Sequence, residues 1–205
     1  MNFQTNLLTP YLTIWTKPRS TIRQILDFNP EKHVLLLAML SGIYRFIDRA
    51  SGQSLGDNMS LTSLLLLCVI GGGVVGIISL YIGGEFFRWA GSWLGGKATA
   101  QDVRAAIAWS SVPDLILLAI YIPIIMIFGR NWFISSTEWM SPVFAFVVFA
   151  TIAPIGFILL IWRFVLFVKC LAEAHQFSGW KGLGTSILGT LLIVVPLFVI
   201  LIATR

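Results

Sequence analysis

The feature that most constrains the fold is a series of apolar segments, most of them long enough to cross a membrane. They cover residues 33–47, 61–84, 105–128, 143–168 and 183–203. About 20 apolar residues are needed to cross the ~30 Å hydrocarbon core of a bilayer, and the last four segments meet that length. The first is shorter and ends in RFIDR, but its LLLAMLSGIY portion is too apolar for water. We therefore predict an all-α, polytopic membrane protein with five transmembrane helices.

The overall composition excludes a water-soluble domain. Hydrophobic residues make up 57% of the 205 residues and charged residues only 11%, whereas soluble domains carry about 25% charged residues. The net charge of +5 is modest and does not indicate nucleic-acid binding. Cys68 and Cys170 lie in or beside apolar segments, and two isolated cysteines form neither a disulfide framework nor a zinc site.

The distribution of basic residues predicts the orientation. Five spans place the termini on opposite sides, and Lys and Arg concentrate on the cytoplasmic side. With the N-terminus inside, ten basic residues are cytoplasmic and four are outside. The cytoplasmic residues are Lys17, Arg19, Arg23, Lys32, Arg88, Lys97, Arg104, Arg163, Lys169 and Lys181, and the outer ones are Arg45, Arg49, Arg130 and Arg205. We therefore expect a cytoplasmic N-terminus and a C-terminus on the outside.

Residues 1–32 are predicted to form a cytoplasmic segment with an interfacial helix, ahead of a membrane domain at 33–205. Pro18 suits a first helical position, and the apolar and basic side chains that follow it lie on different helix faces. The helix either packs on the cytoplasmic ends of the spans or contacts lipid directly. The first ten residues, MNFQTNLLTP, lack the basic and apolar regions of a signal peptide, so no cleaved one is expected.

Small residues line one face of the second segment. Gly72 and Gly76 form a G-x-x-x-G pair, and Gly83 continues the same face. Such a stripe lets two helix backbones approach closely. It serves either packing within the chain or dimerisation.

The loop after this segment is predicted to be structured. Leu94, Gly95, Gly96 and Lys97 break the helix. Thr99 followed by an acidic residue at position 102 is the pattern of a capping box, so a new helix should start near residue 100. The residues that complete this loop and lead into the next span are Asp102 and Arg104.

Asp114 is the least expected residue of the third segment, because an aspartate near mid-bilayer costs roughly 2.5–3.5 kcal/mol on insertion scales. Pro113 beside it frees a backbone carbonyl, which Ser110 or Ser111 could compensate. Arg163 lies well inside the fourth segment, and its depth differs from that of Asp114 by a distance that an arginine side chain can reach. Asp114 thus either contacts Arg163, or is protonated or bonded to serines and backbone, or serves transport.

No pattern of catalysis or cofactor binding is found. The sequence contains no nucleophile elbow, zinc-protease motif, phosphate-binding loop or dinucleotide fingerprint. The two histidines, His33 and His175, have no carboxylate or cysteine at metal-ligand spacing. We therefore expect no catalytic residue, no metal and no cofactor.

The stretch YIGGEFFRWAGSWLGGKATAQDVRAAIAWSSVPDLILL resembles the central signature of the Yip1 family, in which a Leu-Gly-Gly-Lys turn leads into a helix ending in Ser-x-x-Pro. The N-terminal WTKPRSTIRQIL is similar to the opening of bacterial members. The resemblance implies five spans and a cytoplasmic N-terminus, and it carries over structural positions rather than catalytic ones. Those positions are Leu94, Gly95, Gly96, Lys97 and Pro113.

The resemblance also bounds the function. Eukaryotic Yip1 relatives act in vesicle trafficking and associate with Rab GTPases, but this chain lacks their long cytosolic N-terminal region, so Rab binding is not expected. The chain resembles the prokaryotic branch, which implies a bacterial inner membrane. The partners expected are the lipid bilayer, other membrane proteins or a homo-oligomer. We expect a non-enzymatic protein that organises membrane or recruits partners, and the alternative is a small transporter or channel using Asp114.

Overall fold

A computed structural model describes residues 9–136 and 138–204. The stretch on which the signal-peptide expectation rests lies mostly outside these residues. In the described part, the regular structure is helical. The α-helices are α1 (Thr9–Thr13), α2 (Pro18–Phe28), α3 (Val34–Gly52), α4 (Leu61–Leu66), α5 (Gly72–Trp93), α6 (Ala100–Ser110), α7 (Val112–Phe128), α8 (Pro142–Ala174) and α9 (Gly179–Ala203).

Short non-α elements join some of these helices. A π-helical turn, Leu67–Gly71, connects α4 to α5, so that Leu61–Trp93 forms one long helix. Two 3₁₀ turns, Leu55–Asp57 and Gly129–Phe133, follow α3 and α7.

Within the described residues, four helices are long and apolar enough to cross a membrane, which corrects the prediction of five. The four are Leu61–Trp93, Ala100–Phe133, Pro142–Ala174 and Gly179–Ala203. The segment at 33–47 lies in α3, which extends into a polar C-terminal half containing Arg45, Asp48 and Arg49. These charges remove α3 from the candidate spans. The argument that an odd number of spans separates the termini is lost with the fifth span.

Helix α2, at the position of the predicted interfacial helix, packs against other helices of the same chain. Pro18 is its first residue, as predicted. Ile22 and Ile25 on its apolar face are only 0% and 5% exposed, and α2 packs against α6. Arg23 donates from Nε to Glu173 Oε1 at 2.9 Å. Other residues of the chain already cover the apolar face of α2. Of the two alternatives, α2 therefore packs against other helices, and insertion of its apolar face into lipid is not confirmed.

The chain forms two compact units. Unit 1 contains the described residues 9–35, 78–110 and 164–204, and unit 2 contains 36–77, 111–136 and 138–163. Unit 2 has a hydrophobic core whose members come from α3, α4, the π turn, α7 and the second 3₁₀ turn. They are Ile47, Ala50, Leu64, Cys68, Tyr121 and Phe133.

The glycine stripe packs α3 against α5 inside unit 2. A Cβ placed on Gly42 would overlap the backbone of Gly72 and Gly76, and a Cβ on Gly72 would come within 2.9 Å of Gly42 O. Packing within the chain therefore uses Gly72 and Gly76. Gly83 does not take part, because among the described residues a Cβ there would meet only Phe87 of its own helix, at 3.9 Å.

The outer faces of α8 and α9 are apolar and uncovered. Phe146 is 73% exposed, Phe157 63% and Phe198 60%. Exposed apolar surface of this extent on spanning helices is the surface that lipid tails contact. These faces support an integral membrane protein in contact with the bilayer.

Candidate functional site

Asp114 lies at a break in the span Ala100–Phe133. Ser111 separates α6 from α7, and Pro113 is at the second position of α7, where its missing N–H removes no helical hydrogen bond. The Asp114 N–H donates to Ser111 O at 2.9 Å. The hydroxyl of Ser110 donates to the carbonyl of Ile107 at 2.7 Å, so this serine satisfies backbone rather than the carboxylate.

Three side chains of unit 2 surround the Asp114 carboxylate. Ser41 donates from Oγ to Oδ2 at 2.7 Å. Arg45 Nε lies 3.5 Å from the same oxygen, and Arg163 Nε lies 3.2 Å from Oδ1. The contact with Arg163 that the sequence suggested is present, and the serine that binds the carboxylate is Ser41. Both carboxylate oxygens are engaged, and we call these four residues the Asp114 cluster.

Burial makes this arrangement costly to break. The Asp114 side chain is 3% exposed, whereas the Arg163 and Arg45 side chains are 28% and 48% exposed. A carboxylate removed from water loses solvation that only opposite charges and hydrogen bonds can replace. Two guanidinium groups and one hydroxyl supply that replacement, while the arginines keep part of their own solvation.

The Asp114 cluster extends along α3. Asp48 accepts a hydrogen bond from Tyr121 Oη at 2.8 Å, and the rings of Tyr44 and Tyr121 pack edge to face at 5.9 Å. Ser41, Arg45 and Asp48 are spaced four and three residues apart, so they share one helix face. Sequence reasoning missed this face, although the spacing of its polar residues in an apolar helix was the available signal.

The chemistry of the Asp114 cluster is that of a closed ionic contact. Its carboxylate already has hydrogen-bonded and ionic partners, and no histidine, cysteine or second carboxylate touches it in the described structure. Within 9–136 and 138–204, no group of three or more His, Cys, Asp or Glu side chains is placed to hold a metal ion.

The loop of unit 1 between α5 and α6 has the predicted capping box. Thr99 N–H donates to Asp102 Oδ2 at 2.9 Å, and Asp102 N–H donates to Thr99 Oγ1 at 3.2 Å. The helix α6 begins at Ala100, as predicted. Arg104, which follows the capping box, has its guanidinium 4.8 Å from the centre of the Tyr81 ring, a cation–π contact.

The two glycines of the Leu-Gly-Gly-Lys turn have different roles. Gly95 has a φ of +84°, a left-handed conformation that side chains disfavour. Gly96 has an ordinary φ but faces a buried ring, since a Cβ there would overlap His175. The Lys97 N–H then donates to His175 O at 3.3 Å. The turn is therefore shaped by backbone conformation at one glycine and by close packing at the next.

His175 is buried between this loop and the turn after α8, at 1% exposure. Its ring stacks on Phe177 with centroids 5.2 Å apart, and Gly91 also faces it without a side chain. Neither ring nitrogen has a hydrogen-bond partner within the described structure. Burial lowers the pKa of His175, while the carboxylate charge of Asp102 opposes that shift. Sequence reasoning assigned this residue no role, because nothing local signals its burial.

Three cationic residues contact the turn between α8 and α9 or the loop after α5 that lies against it. Arg19 donates from Nη2 to Phe177 O at 3.4 Å, and Lys181 Nζ donates to Leu94 O at 3.1 Å. Lys97 is held by its backbone contact to the same turn. Trp180, at the start of α9, is 83% exposed. We call Arg19, Lys97, Trp180 and Lys181 the turn surface.

The acidic residues near the turn surface are already engaged. Glu173 is paired with Arg23 at 2.9 Å, and Asp102 accepts the capping hydrogen bonds of Thr99. Glu31 accepts from Gln101 Nε2 at 2.7 Å. The turn surface therefore presents positive charge that these carboxylates do not neutralise.

The family model described as the Yip1 domain matches residues 12–202, which include the signature loop, the turn surface and the Asp114 cluster. No curated protein and no solved structure matches the chain. Since the matched region covers nearly the whole sequence and contains all four candidate spans, the chain belongs to the Yip1 family of membrane proteins.

Proposed function

We propose that this chain is a non-enzymatic membrane protein that organises membrane or recruits partners through cytoplasmic loops. The observation that carries the proposal is the turn surface. Three exposed cationic residues from three separate stretches of sequence contact the turn after α8 or the loop after α5, and the neighbouring carboxylates have other partners. A fixed, solvent-facing set of charges is suited to binding rather than to chemistry on a substrate.

We propose that the turn surface faces the cytoplasm. Basic residues concentrate on that side of membrane proteins, and nine of the described Lys and Arg residues belong to unit 1. Helix α2 contacts the end of α8 and the turn that follows it, which supports a cytoplasmic segment at 1–32. A bacterial inner membrane is the proposed location, on the resemblance alone.

The Asp114 cluster has a structural role in this proposal. Its carboxylate ties α7 to α3 and α8 through Ser41, Arg45 and Arg163. A carboxylate that carries protons or ions must be able to exchange its partners with water. An engaged and buried carboxylate favours a tie between helices over a transport site.

Cross-linking in intact membranes tests the proposed recruitment. Lys97→Glu combined with Lys181→Glu reverses two charges of the turn surface, and we expect the molecules captured by the wild-type chain to be lost. Arg49→Glu, an exposed arginine of unit 2, is the matched control and should capture the same molecules as wild type. Unchanged capture by the double variant would contradict recruitment through this surface.

Transport is the second candidate, because Asp114 lies beside the helix break at Ser111 within a span. Discontinuous helices form ion and substrate sites in several transporter folds. In proteoliposomes, this alternative predicts solute or proton flux by the wild-type chain that Asp114→Asn abolishes. Our proposal predicts no flux above that of protein-free liposomes for either chain.

A further inference from the structure

We propose that the turn surface binds the headgroups of anionic phospholipids. This inference rests on the proposed function and names the partner of its turn surface. It follows from the charge of the surface, the exposure of its tryptophan and the position of both beside two span ends.

The charge of the surface favours an anion. The described part of unit 1 has nine Lys and Arg residues against five Asp and Glu residues, whereas unit 2 has four of each. Arg19 and Lys181 each use one donor on a backbone carbonyl, which leaves further N–H groups of both side chains free to bind a phosphate. The Lys97 side chain is exposed. Each of these three residues therefore offers N–H donors to the oxygens of a phosphodiester.

The aromatic residues indicate that this anion lies at a bilayer surface. Trp180 is 83% exposed at the start of the span Gly179–Ala203, and Trp93 is 66% exposed at the end of the span Leu61–Trp93. Tryptophan prefers the headgroup level of a membrane, where its ring is half in hydrocarbon and its N–H meets polar groups. Lysine and arginine at the same level attract anionic lipids.

Titration of the detergent-solubilised full-length chain with brominated lipids tests the proposal. Bromine on the acyl chain quenches tryptophan fluorescence at contact, and Trp180→Phe identifies the contribution of that residue. We expect brominated phosphatidylglycerol to quench Trp180 at much lower concentration than brominated phosphatidylcholine. Raising the salt from about 0.1 M to about 0.5 M should weaken the response, because salt screens exposed charges.

Variants of the turn surface give the sharper test. Each removed cation should weaken phosphatidylglycerol binding about fivefold, so that the triple variant Arg19→Ala, Lys97→Ala, Lys181→Ala weakens it about a hundredfold. The charge-retaining variant Arg19→Lys, Lys97→Arg, Lys181→Arg should bind like wild type. Lys97→Ala alone removes only an exposed side chain, which keeps the test valid if the triple variant fails to fold. Arg49→Ala in unit 2 should have no effect.

Four results would overturn the proposal. The first is equal binding of the two lipids by the wild-type chain, and the second is unchanged phosphatidylglycerol binding by Lys97→Ala and the triple variant. The third is displacement of the lipid by soluble glycerol 3-phosphate at equal concentration, which would indicate a site for free phosphate. The fourth is loss of a cross-linked protein from the triple variant with lipid binding intact, which would indicate a protein partner. That last result would leave the proposed recruitment of partners standing. Flux into proteoliposomes that Asp114→Asn abolishes would instead refute the proposed function.

Discussion

The two units of the chain use their charged residues in opposite ways. In unit 2, Asp114 takes up contacts from Arg45 and Arg163, and the eight described charged residues balance in sign. In unit 1, the cations outnumber the carboxylates, and Arg19, Lys97 and Lys181 are exposed.

The difference shows that burial, rather than residue type, decides what a charge does in this protein. An arginine beside a carboxylate that is 3% exposed compensates a lost hydration shell, so its removal should cost stability. An exposed arginine keeps its hydration and contributes little to folding. Charges of the first kind hold helices together, and those of the second kind remain available to a ligand.

The largest expected effect follows from removing the buried carboxylate. Asp114→Ala should lower the free energy of unfolding by about 2–3 kcal/mol, because it leaves Arg45 and Arg163 without their counter-charge. The estimate is below the 3–5 kcal/mol of fully buried pairs, since the two arginines are 48% and 28% exposed. Lys97→Ala in unit 1 should change the unfolding free energy by less than about 0.5 kcal/mol. Equal effects of the two substitutions, measured by unfolding in detergent micelles, would break the comparison.

A somewhat smaller effect is expected where α3 meets α5. Gly42→Ala should destabilise unit 2 by about 2 kcal/mol, because its methyl group would overlap the backbone of Gly72 and Gly76, which cannot move aside like a side chain. Gly83→Ala is the matched control, because in the described part of the chain its new methyl group would meet only Phe87, at 3.9 Å. Thermal unfolding of both variants measures the difference. A loss at Gly83→Ala as large as that at Gly42→Ala would mean that the stripe also packs against something outside this contact.

The smallest effect is a pH dependence confined to unit 1. Burial lowers the pKa of His175 below its ordinary value of about 6.5, so the folded chain binds this proton less readily than the unfolded chain. The contribution of the buried, neutral His175 to the free energy of unfolding should be complete above about pH 6.5, and it should be lost as the pH falls below that value. The negative charge of Asp102 opposes this lowering of the His175 pKa. Wild type and His175→Phe, compared by unfolding across this range, should differ in slope, and identical slopes would contradict the burial of a neutral imidazole.

Local features of the fold could be predicted because their signals are local. The Thr99–Asp102 pair specifies a capping box with its immediate neighbours, and α6 does start at Ala100. The spacing of Gly72 and Gly76 likewise marks a surface that admits another backbone. The family, too, could be recognised from the signature loop.

The remaining features depend on tertiary packing. Nothing in the sequence around Ser41 or Arg45 shows that their helix face meets Asp114, which is about 70 residues away. The burial of His175 arises only when the loop after α5 folds over it. The prediction of five spans was wrong because the apolar run at 33–47 was given more weight than the charged end of its helix, where Arg45, Asp48 and Arg49 lie.

The most direct test of the central claim, that Asp114 is a structural tie inside unit 2, is a double-mutant cycle between Asp114 and Arg163. The unfolding free energies of wild type, Asp114→Asn, Arg163→Gln and the double variant would be measured in the same detergent. We predict a favourable coupling energy of about 1–2 kcal/mol, with the double variant more stable than the two single losses added together. Additive losses, with no coupling between the two residues, would contradict the claim.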